Sequence, residues 1–297
     1  MAMDTALLES VAAGMAPVLR LYRWSPACLS FGRSQPARGR YDVAGAAARG
    51  IDLVRRPTGG QAVLHDDELT YAIIAPVAVI GRPRVAYSRI NRALVGGLSR
   101  LGVAAGLAGG SVPPTRGGGG APDADRAEGR ARTPILATDG GRPGGDGEGA
   151  HGRDWDAACF RRPERGEVVV GGAKLVGSAQ RVEHRTILQH GSILVGGTQA
   201  LAESLLLEPA AVSADGPESG SRLSSPSSRR APVGGWTTLE RELTDRPTWA
   251  AIAGAVAAGF ADVFGVPLDI AGLSESESEA VARLRSRYAS DEWTWRR

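Results

Sequence analysis

The stretch CFRRPERGEVVVGGAKLVGSAQRVEHRTILQHGSIL, residues 159–194, decides how the rest of the chain is read. Its runs 167–170, 175–182 and 186–195 have the β-branched, apolar content of consecutive antiparallel strands. Near its middle stands Lys174, the single lysine among 35 Lys plus Arg residues. A guanidinium is a planar fork and an ammonium a compact point charge, so the two are not interchangeable in a small polar pocket. Chance survival of one lysine is the plain alternative. The setting favours a use: Gly171-Gly172 precedes Lys174 and Gly177-Ser178-Ala179-Gln180 follows it, small residues that let a backbone approach a ligand.

Outward from this stretch, composition narrows the possibilities. At 297 residues the chain is long enough for a real core in one large domain or two small ones. Its net charge is only +3 and its basic residues are scattered, so no nucleic acid partner is implied. Two cysteines, Cys28 and Cys159, are too few for a disulfide framework and favour a reducing compartment. No apolar run approaches the ~18 residues of a membrane span. The N-terminal MAMDTALLES carries acids where a secretory signal carries basic residues. A cytoplasmic protein with no membrane partner is expected.

Taken in order, residues 3–14 read as a helix capped by Asp4 and stopped by Gly14. Residues 18–24 alternate as a strand, with 27–31 as its partner after the Ser25-Pro26 turn. A short Ala-rich helix spans 41–49, and a strand at 52–56 leads into Pro57-Thr58-Gly59-Gly60. Residues 69–76 are apolar at nearly every position, as in a strand buried on both faces. Residues 84–101 have helical spacing. Segments 108–153 and 212–235 are rich in Gly, Pro, Ser, Asp and Arg and poor in large apolar residues. They bury too little surface to offset their ordering entropy, so they read as disordered insertions. Helices follow at 199–207, 249–264 and 274–288, with a strand at 266–270. The pattern predicts a single α+β domain with a mixed, largely antiparallel sheet flanked by helices.

Two further places could carry chemistry. In Arg55-Arg56-Pro57-Thr58-Gly59-Gly60-Gln61-Ala62-Val63-Leu64-His65, a strand runs into a Gly-Gly turn whose N–H groups could grip an oxyanion or carbonyl. The structural alternative is a β-turn with its arginines in solvent, and His65 alone reads as a structural histidine. A free cysteine such as Cys159 is more often a small core residue than a nucleophile. An adjacent ammonium would hold it as a thiolate, and a loop feeding a hairpin could bring residues 159 and 174 together.

RRPTGGQAVLHDDELTY followed by GGAKLVGSAQRVEHRTILQHGSIL resembles the lipoate–protein ligase and octanoyltransferase family, related in fold to biotin–protein ligases. The resemblance covers most of the ordered chain and implies a biotin/lipoate protein ligase catalytic-domain-like fold. It assigns Arg56, Thr58, Gly59, Gly60, Ala62 and His65 to a lipoyl or octanoyl pocket, and Lys174, Gly177, Ser178, Ala179 and Gln180 to an acyl-group clamp. His65-Asp66-Asp67-Glu68-Leu69-Thr70-Tyr71 departs from the usual ligase pattern. With Ala158-Cys159-Phe160 ahead of the lysine strand, it looks like the cysteine-dependent octanoyltransferases of the LipM type. That branch implies octanoyl-acyl carrier protein as donor and a lipoyl domain or glycine cleavage H protein as acceptor. Cys159 is then the nucleophile, with no ATP, metal or other cofactor. The rivals are an ATP- and Mg-dependent lipoate–protein ligase, an amidotransferase between two proteins, a biotin ligase, and a non-catalytic acyl sensor.

Overall fold

In the computed structural model, which describes residues 1–109, 160, 163–207 and 235–296, the first half of the chain alternates short helices with strands. Helix α1 (Ala2–Ala12) is followed by β1 (Val18–Tyr22) and β2 (Cys28–Phe31), then α2 (Val43–Ala48), β3 (Asp52–Arg55) and β4 (Val63–His65). Next come β5 (Glu68–Pro76), α3 (Val77–Ile80), the long α4 (Pro83–Arg100) and the two-residue β6 (Gly106–Leu107). The second half brings β7 (Val168–Val170), β8 (Ala173–Glu183), β9 (Thr186–Leu194), α5 (Ala200–Ser204) and α6 (Leu239–Glu242). It closes with α7 (Trp249–Phe264), α8 (Glu275–Tyr288) and α9 (Asp291–Thr294). All described residues belong to one compact unit.

Two sheets result. The larger has the order β1-β5-β9-β8-β7-β6 and is antiparallel throughout; the smaller has the order β3-β2-β4 and contains one parallel pair. β5 and β9 lie inside the larger sheet and are buried almost from end to end, as the apolar run predicts. One face of β5 (Leu69, Tyr71, Ile73, Ala75) packs on α4 and α7, while Ala72 and Ile74 on the other face pack on α1. Helices α4 and α7 cross at glycines: a Cβ on Gly259 would stand 2.3 Å from the Ala93 carbonyl, so the main chains touch. No helix among the described residues is long and apolar enough to cross a membrane.

Several expectations need correction. The alternation of 27–31 does mark a strand, but β2 does not pair with β1. It lies in the smaller sheet between β3 and β4, while β1 takes β5 as its neighbour. Residues 266–270 form no strand: Val266, Leu268 and Ile270 alternate as a strand would, but they are exposed and pair with no strand among the described residues. Asp4 does not cap α1, whose N-cap is Met1; its carboxyl is buried in the ion pairs described below. Of the segments expected to be disordered, all but 108, 109 and 235 lie outside the described residues. Those edges are tied in: Ala108 N–H donates to Glu167 O at 2.8 Å, and Gly235 O accepts from Lys174 N–H at 2.8 Å.

Candidate active site

Alternation along the central strands turns polar side chains to the face opposite α4 and α7. Tyr22 on β1 faces Thr70 on β5, Thr70 faces Ser192 on β9, and Ser192 faces Gly177 on β8. The adjacent row is Arg20, Ala72, His190 and Ala179. Three interstrand gaps of about 4.8 Å make the first row roughly 14 Å long. Over it lies a cavity with about 420 Å3 of empty space, walled by Tyr22, Trp24, Ser30, Arg56, Gly60, Val63, His65, Thr70, Gly177, Ser178, Ala179, His190 and Ser192.

The roof is the turn between β3 and β4. Arg56 fixes it: Nε and Nη2 donate to Gly59 O at 3.1 and 2.8 Å, Nη2 to Gln61 O at 2.6 Å, and Nη1 to Ser30 O at 2.9 Å. Gly60 has φ +92°, and a Cβ there would meet the Arg56 guanidinium at 2.8 Å. A Cβ on Gly32 would stand 1.8 Å from Gly60 O, so two main chains cross here. Neither arginine of the motif is in solvent. Arg55 is wholly buried and donates to the carbonyls of Gly32, Gln35 and Thr294 at 2.6, 2.7 and 2.9 Å. Thr58 joins the roof to the sheet through His190 Nε2 at 2.5 Å, and His190 Nδ1 meets Asp4 Oδ2 at 3.3 Å. Arg20 completes the chain at 2.6 Å from Asp4 Oδ1. Burial alone would raise the Asp4 carboxyl; the His190 hydrogen bond, the amino terminus and Arg20 together outweigh it and hold the group far below the usual carboxylate range. Burial lowers His190 against the pull of Asp4, so a neutral ring donates from Nδ1 and accepts from the Thr58 hydroxyl.

His65 sits on the cavity wall with both nitrogens engaged. Nδ1 meets Glu68 Oε1 at 2.8 Å, Nε2 meets Ser30 Oγ at 2.8 Å, and the ring stacks on Trp24 at 4.5 Å between centroids. Ser192 Oγ donates to the same Glu68 oxygen at 3.0 Å, and Thr70 Oγ1 also donates to it. Trp24 Nε1 donates to Thr70 Oγ1 at 2.9 Å. One oxygen of Glu68 thus collects the hydrogen bonds of this wall, while its Oε2 is buried with no hydrogen-bond partner.

Lys174 reaches this side of the sheet through an irregularity. Val168 pairs with Val176 but the next residue, Val169, pairs with Lys174, so β8 has one extra residue against β7. Leu175 and Val176 consequently both enter the core beneath α4 and α7, and Lys174 turns to the face of Gly177. Phe160 touches both: the Lys174 ammonium is 5.1 Å from its ring centroid, and a Cβ on Gly177 would meet its Cζ at 2.7 Å. Lys174 is 1% exposed, and its Nζ lies 2.8 Å from Glu167 Oε1. Burial raises the Glu167 carboxyl despite the opposing pull of Lys174.

The structure thus brings Arg56, Gly60, His65, Gly177, Ser178 and Ala179 to one cavity, with Lys174 beside Gly177 behind the Phe160 ring. Thr58 and Gly59 act in its roof. Ala62 and Gln180 point elsewhere: Ala62 packs with Leu29 and Phe31, and Gln180 lies on the opposite face against Gln189 at 3.0 Å. Cys159 lies outside the described residues; Phe160 is its neighbour in the chain. Reasoning from sequence missed Glu167, Glu68, His190, Ser192 and Trp24. For His190 and Ser192 a signal existed, since they share a strand face with polar spacing of two.

The family model of the lipoyl protein ligase A/B catalytic domain matches residues 1–260. The chain is 34% identical over 307 residues to octanoyltransferase LipM of Kyrpidia tusciae, covering 100% of this chain and 94% of that protein. Among solved structures it is similar to a lipoate-protein ligase A bound with ATP, with a TM-score of 0.66 and 19% identity over 99% of this chain and 92% of that one. It is also similar to part of an archaeal lipoylation system, a bi-partite lipoate protein ligase from Thermoplasma acidophilum studied with its E2 lipoyl domain. There the TM-score is 0.65 at 19% identity, over 99% of this chain and 89% of that one. At such identities the two structures bear on fold alone.

Proposed function

Because the chain belongs to the lipoyl protein ligase A/B catalytic domain family, we propose that it is a cysteine-dependent octanoyltransferase of protein lipoylation. The donor is octanoyl-acyl carrier protein, and the acceptor is a lysine of a lipoyl domain or of glycine cleavage H protein. The observation that carries the reading is the buried Lys174 ammonium against the ring of Phe160, the residue next to Cys159. Similarity to a protein named octanoyltransferase supports the acyl group. The lipoyl domain studied with an archaeal relative supports the acceptor class.

The acyl chain lies across the strands along the row from Gly177 to Tyr22. Eight carbons joined by bonds of about 1.5 Å span roughly 9 Å, which that row of about 14 Å accommodates with its bounding side chains. Each buried methylene contributes about 0.8 kcal/mol. The Cys159 thiolate attacks the donor thioester carbon. The new C–S bond forms as the donor sulfur leaves as a thiolate, which takes a proton from water. Charge developing on the carbonyl oxygen is met by the Lys174 ammonium, which Glu167 holds in place, and by main-chain N–H groups near Gly177. A neutral acceptor amine then attacks the acyl-cysteine. The amide forms as the C–S bond breaks, the amine's proton passes to water, and Cys159 returns as the leaving thiolate. A thioester is already activated, so the step uses no ATP or metal. We place it in the cytoplasm, where the thiol stays reduced.

The test is the intact mass of the protein after incubation with octanoyl-acyl carrier protein alone. A gain of one octanoyl group, removed by hydroxylamine and absent in Cys159→Ala, is the expected result. No adduct, together with adenylate formation from free acid and ATP, overturns the reading in favour of a ligase.

A further inference from the structure

Beyond the acyl cavity, a second cleft opens between α1, the far end of β8 and the segment joining α8 to α9, with about 540 Å3 of empty space. Arg33, Arg181 and Arg287 line it. Trp293, which also lines the cleft, carries the Arg287 and Arg296 guanidiniums over its ring, 4.1 and 3.4 Å from the centroid. Two carboxylates line the cleft and each already has a guanidinium: Glu183 pairs with Arg181 at 2.6 Å, and Glu9 with Arg283 at 2.6 Å. Among the described residues, Arg33, Arg287 and Arg296 form no ion pair with a carboxylate. Burial, then the neighbouring Arg33, lowers the proton affinity of both Arg181 and Arg296. Like charges gathered in a concave, partly desolvated space raise its potential and concentrate counter-ions there.

We propose that this cleft is an oxyanion site, separate from the acyl cavity, that takes a ligand of the phosphoryl class through Arg33, Arg181 and Arg287. Forked guanidiniums meet phosphoryl oxygens two at a time. Arg33 and Arg287, with no carboxylate partner among the described residues, and Arg181, whose charge Glu183 offsets in part, match a ligand of charge −2 or more better than a single carboxylate. A phosphate ester or pyrophosphate presents several charged oxygens at once, which suits guanidiniums that approach one cleft from β8, α8 and the segment after β2. Arg181 follows Ala179 by two positions and shares its strand face, about 7 Å away, so the site adjoins the acyl cavity without entering it.

The experiment is thermal unfolding of the full chain with added pyrophosphate, against sodium chloride at equal ionic strength and against acetate. The midpoint is expected to rise by about 3 °C or more, saturably, with pyrophosphate alone. The rise should vanish in Arg287→Gln and shrink in Arg33→Gln. A shift no larger than that given by chloride, or one that persists undiminished in both variants, overturns the site. An equal shift with acetate overturns the phosphoryl class. Should Arg287→Gln fail to fold, Arg33→Gln decides alone, since the Arg33 side chain is exposed and forms no ion pair among the described residues whose loss would unfold the chain.

Discussion

Lys174 and Glu167 are both buried and paired at 2.8 Å. Removing one partner of a buried pair typically costs about 3–5 kcal/mol, because the remaining charge is left uncompensated. Replacement by arginine keeps the charge but asks a wide planar group to fit beside Phe160 and Gly177. Lys174→Arg is therefore expected to lower the octanoyl-transfer rate by about a hundred-fold or more, as loss of an oxyanion contact does. Steady-state transfer to a lipoyl domain checks it, and an unchanged rate would remove Lys174 from the chemistry. His190 makes a prediction about pH. Its folded affinity for protons lies below the ordinary value of 6.5, so between those limits the unfolded chain binds more protons and stability falls as pH falls. The slope approaches about 1.4 kcal/mol per pH unit inside that window. Denaturant midpoints at pH 7.5 and 5.5 should differ in the wild type and converge in His190→Gln. Asp4 acts with the same sign in more acid solution: its stabilising contribution is present above about 3.8 and is lost as pH falls toward its lower folded value.

At the scale of elements, the cavity is a product of register: four strands each give it one residue of a single row. Trp24 stands at the β1 end, pinned by Thr70 and the His65 ring, where the acyl path proposed above ends. Trp24→Ala should extend the room there. Competition between octanoyl and decanoyl donors is expected to move toward the longer chain by about fifteen-fold, from roughly 0.8 kcal/mol for each of two added methylenes. An unmoved preference would place the chain end elsewhere. At the other end, Gly177→Val would drive its side chain into Phe160. It should abolish transfer while costing about 1–3 kcal/mol of stability, read by denaturant unfolding. The lysine strand and its neighbours were legible in sequence because β-branched residues and Gly-Gly punctuation both point to antiparallel strands. The extra residue in β8 was not, since Leu175 carries no Gly or Pro to mark it. The pairing of 27–31 with 18–24 failed for a related reason: alternation reports which faces a strand buries and says nothing of its neighbour. Asp4 was read as a cap because caps and buried ion pairs draw on the same short carboxylate. Gln180 belongs to a legible motif, yet its strand position sends it to the far face.

On the scale of the whole molecule, the smaller sheet is closed from the far end of the chain. Trp293 Nε1 donates to Arg55 O at 2.8 Å, and Arg55 Nε donates to Thr294 O at 2.9 Å across 239 residues of sequence. α1 similarly packs on α8, where the Thr5 and Tyr288 hydroxyls meet at 2.8 Å. A chain ending at residue 290 should retain β2, β3 and β4 but lose the acceptor for a buried guanidinium. It is expected to sediment as aggregate where the full chain stays in the supernatant, and equal recovery of the two would refute that. The link between Arg55 and Thr294 also sets a timetable for birth on the ribosome. At about 5–20 residues per second, some 10–50 s separate the emergence of its two halves. Through that interval the strand that leads to the acyl-site turn waits with an unfinished pocket for its own guanidinium. Until residue 294 has emerged, the carbonyl that accepts from Arg55 Nε is missing, and β3 and the turn after it cannot take their final places.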